Sequence, residues 1–557
     1  MSTATLAALR QYTLNNAENN AQPLAEFVCA YFDSADPDEL QLRGPAKLMA
    51  MASAHWRLLD RPADAFDARI RVFNPTLAED GFSSEHTVIQ IVHKDMPFLV
   101  DSVTMAINRS GRIAHWIVHP LLTIERDTHG DLYRTVAANS RAHDQAHTQS
   151  FILLECDRIV RAQECEALAA EISRVLEDVA AAVTDWPAML AHLQRVCDES
   201  ERRPSPSAGQ QEGVAFLRWL REQHFTFLGA RDYTLSRSGD EVRLEAVAQS
   251  GLGILRGEAQ TPVSFLPKDA LDFVESDQLV LVTKAMTRAT VHRPAWLDYL
   301  AVKRFDESGQ VVGETRFLGL YTSKAYAASV SEIPQVRRRA AAVMAAADVV
   351  PDSHAAKSLQ AILDAYPRDE LMQVDAPTLI AHAVGILRLQ ERQRTRVFLR
   401  RDPFGRFTSA LVFVPRDRYN TELRSRIGDE LMRSLDGQSV EYTPMLTDQP
   451  LARIHYLVRA LQEAPRNPDV AALEASIASL ARRWEDDCKQ ALMQSYGESV
   501  GLSLTNSFAQ AFSSVYRDDF PGAAAADDAH VLSTLARWPA WLSGCTDRSM
   551  AVPDRRA

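Results

Sequence analysis

A chain of 557 residues can fold as roughly three or four domains and bury several cores. Its 61 Lys and Arg against 73 Asp and Glu leave a net charge of -12, which argues against nonspecific attraction of the whole chain to nucleic acid or an anionic membrane. With 46% hydrophobic and 24% charged residues, the composition is that of an ordinary soluble globular protein.

Cys29, Cys156, Cys165, Cys197, Cys488 and Cys545 include no CxxC pair, so neither a zinc cluster nor a disulfide framework is indicated. Reduced thiols in a cytosol are the simplest account. The N-terminus has no basic start followed by an apolar core, and nowhere do eighteen apolar residues run together. The expectation is a cytoplasmic protein without a membrane span.

Residues 1–80 read as a helical segment. Leu24, Phe27, Val28 and Tyr31 share a helical face, Ala46 to Leu59 carries a second apolar stripe, and a loop runs from Asn74 to Ser84. A first module is expected over 81–200. His86 to Asp95 alternates as a buried strand. Pro97 fits the first position of a helix on which Leu99, Val103, Ala106 and Ile107 share a face, and Gly111 stops it. Arg112 to Arg126 is extended, and the turn Asp127–Asp131 returns it into Leu132–Val136. After the polar segment Ala137–Gln149 come a strand ending at Cys156 and a long amphipathic helix through Leu168, Ile172, Val175, Leu176 and Val179. No closing strand for this sheet is legible.

A strand, a short helix entered through Asp95-Met96-Pro97 and a return strand resemble the start of ACT domains, small ferredoxin-like modules that often bind amino acids and regulate metabolic enzymes. The resemblance implies a candidate effector site at Asp95, Pro97 and Asp101. Phe98 departs from it, standing where many ACT domains have a glycine that lets a ligand reach the backbone. A scaffold with no ligand site is the reading that stands beside the regulatory one.

Glu201 to Gly213, rich in Pro, Ser, Gly and charge, reads as a linker. Over 214–322, five extended runs joined mainly by turns imply an antiparallel sheet. Residues 323–393 read as a helical connector. At 394–497 a hairpin turns through Asp402-Pro403-Phe404-Gly405, with Asp, Pro and Gly at type I positions, and a ββαββ order follows, closed by one helix. Residues 498–529 read as the start of a truncated further module and 530–557 as an atypical tail. The fold class expected is therefore α+β and multidomain: ferredoxin-like ACT-type modules and an antiparallel sheet joined by helical segments.

Several strings together resemble the large bacterial NAD-specific glutamate dehydrogenases: VIQIVHKDMPFLVDSVTMAINRSG, TVHRPAWLDYLAVKRFD, TRFLGLYTSKAY, YPRDEL and LRLQERQRTRVFLRRDPFGRFTSALVFVPRDRYNTELR. They fall in order between Val88 and Arg482. The resemblance implies an N-terminal region of ACT-like modules with a PAS-like sheet at about 214–322. A separate catalytic domain in the full enzyme converts L-glutamate to 2-oxoglutarate and ammonia with NAD. That domain is not recognised in this chain, and the break near Ala529 reads as a truncation or frame change. The expected partners are the catalytic domain of the full-length enzyme, further copies of the chain in a homo-oligomer and a small amino-acid effector. The alternative is a free-standing amino-acid-sensing or scaffold protein of the same modules.

The chemistry-bearing motifs are few. Gly251-Leu-Gly253-Ile-Leu-Arg-Gly257 has the spacing GxGxxxG without a following helix, so a turn between strands is preferred to a dinucleotide site. His93, His115 and His119 with Asp95 are poorly placed for one metal ion, because four residues of strand separate His115 from His119 by roughly 13 Å. No Gly-x-Ser-x-Gly elbow occurs. The adjacent Asp486 and Asp487 read as solvated. No catalytic, cofactor-binding or metal residue is assigned. The run from Arg392 to Arg418, interleaved with Phe398, Phe404, Phe407 and Phe413, loosely resembles an RNA-binding sheet; core aromatics and ion pairs are the preferred reading, and no nucleic-acid or membrane partner is expected.

Overall fold

The structure, a computed structural model, describes residues 2–17, 21–60, 68–126, 132–137, 148–203, 206–238, 241–257, 263–389, 392, 394–445, 449–460, 464–465, 467–508 and 511–535. The expected turn at Asp127–Asp131, most of the polar segment 137–149 and Trp538, Trp541 and Cys545 of the tail lie outside the described residues. The chain forms two compact units, one of Met1–Asp348 with Leu363–Ala376 and the other of Val349–Ile362 with Pro377–Ala557.

The first unit begins with α1 (Ser2–Asn16), α2 (Ala21–Tyr31) and α3 (Pro37–Trp56). Asp36 caps α3, which is kinked at Gly44 (φ 73°) and Pro45 because proline cannot continue the hydrogen-bond ladder. Then come β1 (Arg69–Phe73), α4 (Leu77–Asp80), β2 (Thr87–Lys94), α5 (Leu99–Arg109), β3 (Ala114–Val118), β4 (Leu121–Arg126), β5 (Leu132–Ala137), β6 (Thr148–Cys156) and α6 (Ala162–Glu201). The six strands form one antiparallel sheet in the order β1-β2-β6-β4-β5, with β3 also beside β6. Phe27, Tyr31, Phe32, Met51, Val88, Val92, Trp116 and Phe151 build its core against α1–α3. Ile89, Ile91, Ile152 and Leu154 alternate with these and are equally buried, so both faces of β2 and β6 are covered.

Two local expectations are corrected here. The strand missing from the sequence reading is β1, in the stretch taken as helical; five residues with Arg at alternate positions resemble a loop until β2 pairs with them. Pro97 is not the first helical residue. The helix starts at Leu99, and its cap is Phe98 in the left-handed region (φ 75°, ψ 1°).

The expected linker is helical at Glu201 and again from Ala208. Helix α6 runs to Glu201, and α7 (Ala208–Trp219) starts on a reciprocal cap in which Ser207 Oγ accepts from Gln210 N–H while the Gln210 side chain accepts from Ser207 N–H, both at 3.1 Å. Beyond it come β7 (Phe225–Ser238), β8 (Glu241–Ala246), β9 (Leu252–Gly253), β10 (Val263–Phe265), α8 (Lys268–Glu275), β11 (Val280–Arg288), β12 (Trp296–Phe305) and β13 (Val311–Tyr321). They make a seven-stranded antiparallel sheet, ordered β10-β8-β7-β13-β12-β11 with β9 against β7. Helices α9 (Ser323–Ala327), α10 (Val336–Ala346), α11 (His354–Asp364), α12 (Arg368–Gln373) and α13 (Ala376–Leu389) follow.

In the second unit, β14 (Arg396–Arg401) and β15 (Phe407–Pro415) form the predicted hairpin, with Gly405 N–H donating to Asp402 O at 2.8 Å and Gly405 at φ 69°. With α14 (Thr421–Ser434), β16 (Gly437–Met445), β17 (Leu451–Ala460) and α15 (Val470–Leu480), it makes a four-stranded sheet ordered β14-β15-β17-β16. Val397, Val412, Ile454 and Tyr456 pack against Ile427, Leu431 and Ile477 of α14 and α15. The single closing helix expected here is broken after Ala481, and α16 (Trp484–Tyr496) starts afresh. With α17 (Glu498–Phe508), α18 (Ser514–Asp519) and α19 (Ala525–Leu535), α16 encloses a small core around Cys488, Leu492 and Leu504.

Candidate functional site

The turn predicted to receive an effector is in contact with the chain's own second sheet. The loop from Ala289 to Ala295 between β11 and β12 is pinched at its neck, where Ala289 N–H donates to Ala295 O at 2.8 Å. At its tip His292, also left-handed (φ 77°), lies against Phe98, with ring centroids 4.8 Å apart. The buried Ser102 Oγ accepts from His292 N–H at 3.1 Å. Thus two non-glycine residues in a backbone region that costs each roughly 1–3 kcal/mol face each other across one contact. Burial first, and then Arg293, lower the His292 pKa, while the carboxylate of Asp101 opposes them. Asp101 is therefore a neighbour of the loop.

Asp95 acts elsewhere. It is exposed at the end of β2, where its charge opposes the burial that lowers the pKa of His119. Pro97 is exposed in the turn itself. Only Asp101 of the three candidates is shown acting on the residues of this contact. The pattern of Phe98, Ser102 and His292 had no signal in the sequence, since it needs a left-handed phenylalanine and a loop 190 residues away.

Helix α6 carries a second set of contacts with the same sheet. Asp178, Asp185 and His192 recur every seven residues and so drift only about 20° per step around the helix. Asp178 accepts from Thr290 Oγ1 at 2.7 Å, and burial raises its pKa. Asp185 accepts from Gly253 N–H at 2.8 Å and from Arg256 Nε at 3.0 Å. His192 Nε2 lies 3.2 Å from Asp232, which also accepts from Thr315 Oγ1 at 2.6 Å. Helix α6 is buried along its length through Leu168, Ile172, Val175, Val179, Met189 and Leu193, and from Asp178 to His192 it adds this polar stripe to β7, β9 and the 289–295 loop.

These contacts explain the glycine cluster. Gly253 (φ 60°) has no room for a Cβ, which would meet Leu228 O at 2.1 Å, and a Cβ at Gly251 would meet Leu255 O at 2.1 Å. The loop turns around the buried guanidinium of Arg231, which donates to Leu255 O and, at 2.7 Å, to Gly257 O. A phosphate cradle needs converging N–H groups. Here carbonyls converge on a cation, and Gly253 N–H already holds Asp185. Burial would raise the Asp185 pKa, but Arg256 and the Gly253 amide outweigh it and keep the carboxylate ionised.

The three histidines have separate partners: His93 Nδ1 with Lys94 O at 2.7 Å, His115 Nε2 with Asp157 at 2.7 Å and His119 Nε2 with Ser150 Oγ at 2.6 Å. In the second unit Phe398, Phe407 and Phe413 are buried, Phe398 against His382, and Phe404 is half-buried beneath Arg406. Asp486 pairs with Arg418 and Asp487 with Arg482. No helix among the described residues is long and apolar enough to cross a membrane.

Comparison with known proteins places these units. Family models match in chain order: the glutamate dehydrogenase ACT1 domain at residues 27–172, helical motif 1 at 333–392, the ACT2 domain at 396–485 and helical motif 2 at 491–535. The chain is 35% identical over 525 residues to the NAD-specific glutamate dehydrogenase of Halomonas elongata, covering 93% of this chain and 32% of that protein. The chain belongs to the NAD-specific glutamate dehydrogenase family. The enzyme of Pseudomonas aeruginosa is 33% identical over 523 residues, with coverage of 93% and 32%, and that of Mycobacterium tuberculosis 29% over 510 residues, with 88% and 30%. The chain thus spans about a third of the length of these glutamate dehydrogenases. The ACT1 match contains the first sheet with α3 and the C-terminal end of α2, and the ACT2 match contains the second unit's four-stranded sheet.

Proposed function

We propose that this chain is the N-terminal regulatory and assembly region of an NAD-dependent glutamate dehydrogenase, serving a catalytic part of the full enzyme. In the full enzyme that part would convert L-glutamate, NAD and water to 2-oxoglutarate, ammonia and NADH. The observation that carries this reading is the run of ACT and helical-motif matches along a chain one third the length of its relatives. Assembly is favoured over sensing at the α5 turn because His292 and the α6 stripe fasten the first two sheets together there. The sheet of β7–β13 is read as PAS-like on its antiparallel order, and the setting as a cytoplasmic homo-oligomer.

The test is direct. Purified chain incubated with L-glutamate and NAD is expected to form no NADH at 340 nm, and a clear turnover would overturn the reading. The rival reading, a free-standing amino-acid sensor, calls for a thermal shift with an amino-acid panel, since a ligand at 100 times its Kd adds about 2.7 kcal/mol.

A further inference from the structure

The segment around Tyr366-Pro-Arg-Asp-Glu-Leu371 is used by neither the fastening of the sheets nor the glycine loop. We propose that residues 363–376 form a docked latch: the second sheet and its following helices carry a receptor for this stretch of their own chain, and docking and release make a two-state element of the molecule. Asp369 is the anchor. Its Oδ2 lies 3.2 Å from Lys284 Nζ on β11, and its Oδ1 accepts from Tyr326 Oη at 2.7 Å. Arg339 of α10 donates to Met372 O at 3.3 Å and to Val374 O, and Arg368 Nε donates to Tyr326 O at 3.4 Å. Leu363, Tyr366, Leu371, Met372 and Val374 are the buried apolar side chains of the segment.

The receptor keeps its own charge balance without the segment. Lys284 Nζ is 2.7 Å from the wholly buried Asp298, which also accepts from Tyr321 N–H at 3.4 Å. Burial works against the Lys284 ammonium, and Asp298 with Asp369 outweighs it. The docked state is not fully satisfied, because Tyr321 Oη and Arg368 Nη1 are buried with no hydrogen-bond partner among the described residues. An anchored but incompletely paired segment is suited to opening below the stability of the sheet that holds it.

Connectivity gives the latch its consequence. The chain leaves the first unit after Asp348, returns at Leu363 and leaves again after Ala376. Docked, it passes between the units three times; released, once. This proposal stands apart from the dehydrogenase reading and can fail without it.

Hydrogen–deuterium exchange on the full chain tests it with Asp369→Ala. Amides of 366–374 are expected to exchange at least ten-fold faster while those of β12 and β13 keep their wild-type rates. The milder Tyr326→Phe removes one hydrogen bond to Asp369; it gives the same selective pattern at smaller amplitude and is the readout if Asp369→Ala does not fold. Unchanged exchange in 366–374 would overturn the latch. So would equal acceleration of the segment and of β12 and β13, which would make it an integral part of the sheet's fold.

Discussion

His55 gives the sharpest quantitative test of the first sheet's core. Its Nε2 faces Ile91 O at 3.1 Å, and a carbonyl can only accept, so Nε2 carries the proton and Nδ1 accepts from Tyr31 Oη at 2.7 Å. Tyr31 of α2, His55 of α3 and Ile91 of β2 are all fully buried. Burial pushes the imidazole pKa down to about 3, against an ordinary 6.5, with the Ile91 carbonyl opposing. The sign follows from the neutral ring being the folded form. The unfolded chain takes up a proton below about pH 6.5, so the stability this site contributes is complete above that pH and is lost as pH falls toward 3. The linkage relation gives a loss of about 2 kcal/mol by pH 5 and about 4 kcal/mol by pH 3. The comparison protein is Tyr31→Phe with His55→Leu, which removes both polar partners and leaves no orphaned hydroxyl. The slowest amides of β2 and β6 report the local opening free energy by hydrogen exchange at pH 7 and pH 5. The wild type should lose about 2 kcal/mol more than the double variant over that range. Equal pH dependence in the two proteins would refute the buried neutral imidazole.

Other outcomes follow from the contacts between the sheets. Asp185→Ala removes the carboxylate that holds Gly253 N–H and Arg256; because Arg256 is half exposed, the cost is put at about 1–3 kcal/mol, read as faster exchange in 251–257 and β7. Within the same pair, Asp185 stabilises above the ordinary carboxylate pKa of about 3.9 and stops doing so below its lowered folded value, so the wild type should converge on the variant in acid. At position 98 the order of stabilities should reverse the usual helix preference: Phe98→Gly should be about 1 kcal/mol more stable than Phe98→Ala in urea denaturation, because both lose the His292 contact but only glycine adopts φ 75° without strain.

Local chemistry made much of the fold legible. The alternation of Val88, Gln90 and Val92, the apolar face of α5, the Asp402–Gly405 turn and the ββαββ order after it are all patterns set by near neighbours, and the structure has each of them. The strings between Val88 and Arg482 carried the family as well. What failed were boundaries and partners. Proline at 97 suits a helix start in isolation, but the left-handed Phe98 displaces that start, and β1 is a strand only because β2 supplies its hydrogen bonds.

By itself, then, the amino-acid order determined most element types, the antiparallel character of the sheet over 214–322 and the family, because periodicity and turn chemistry act over a few residues. Only the tertiary structure decided which residues meet. The α5 turn faces His292, Asp185 faces the glycine loop and Asp369 faces Lys284. Each of these contacts joins residues that are distant along the chain, and a single sequence carries no local signal of a pairing that only the packing of whole elements brings about.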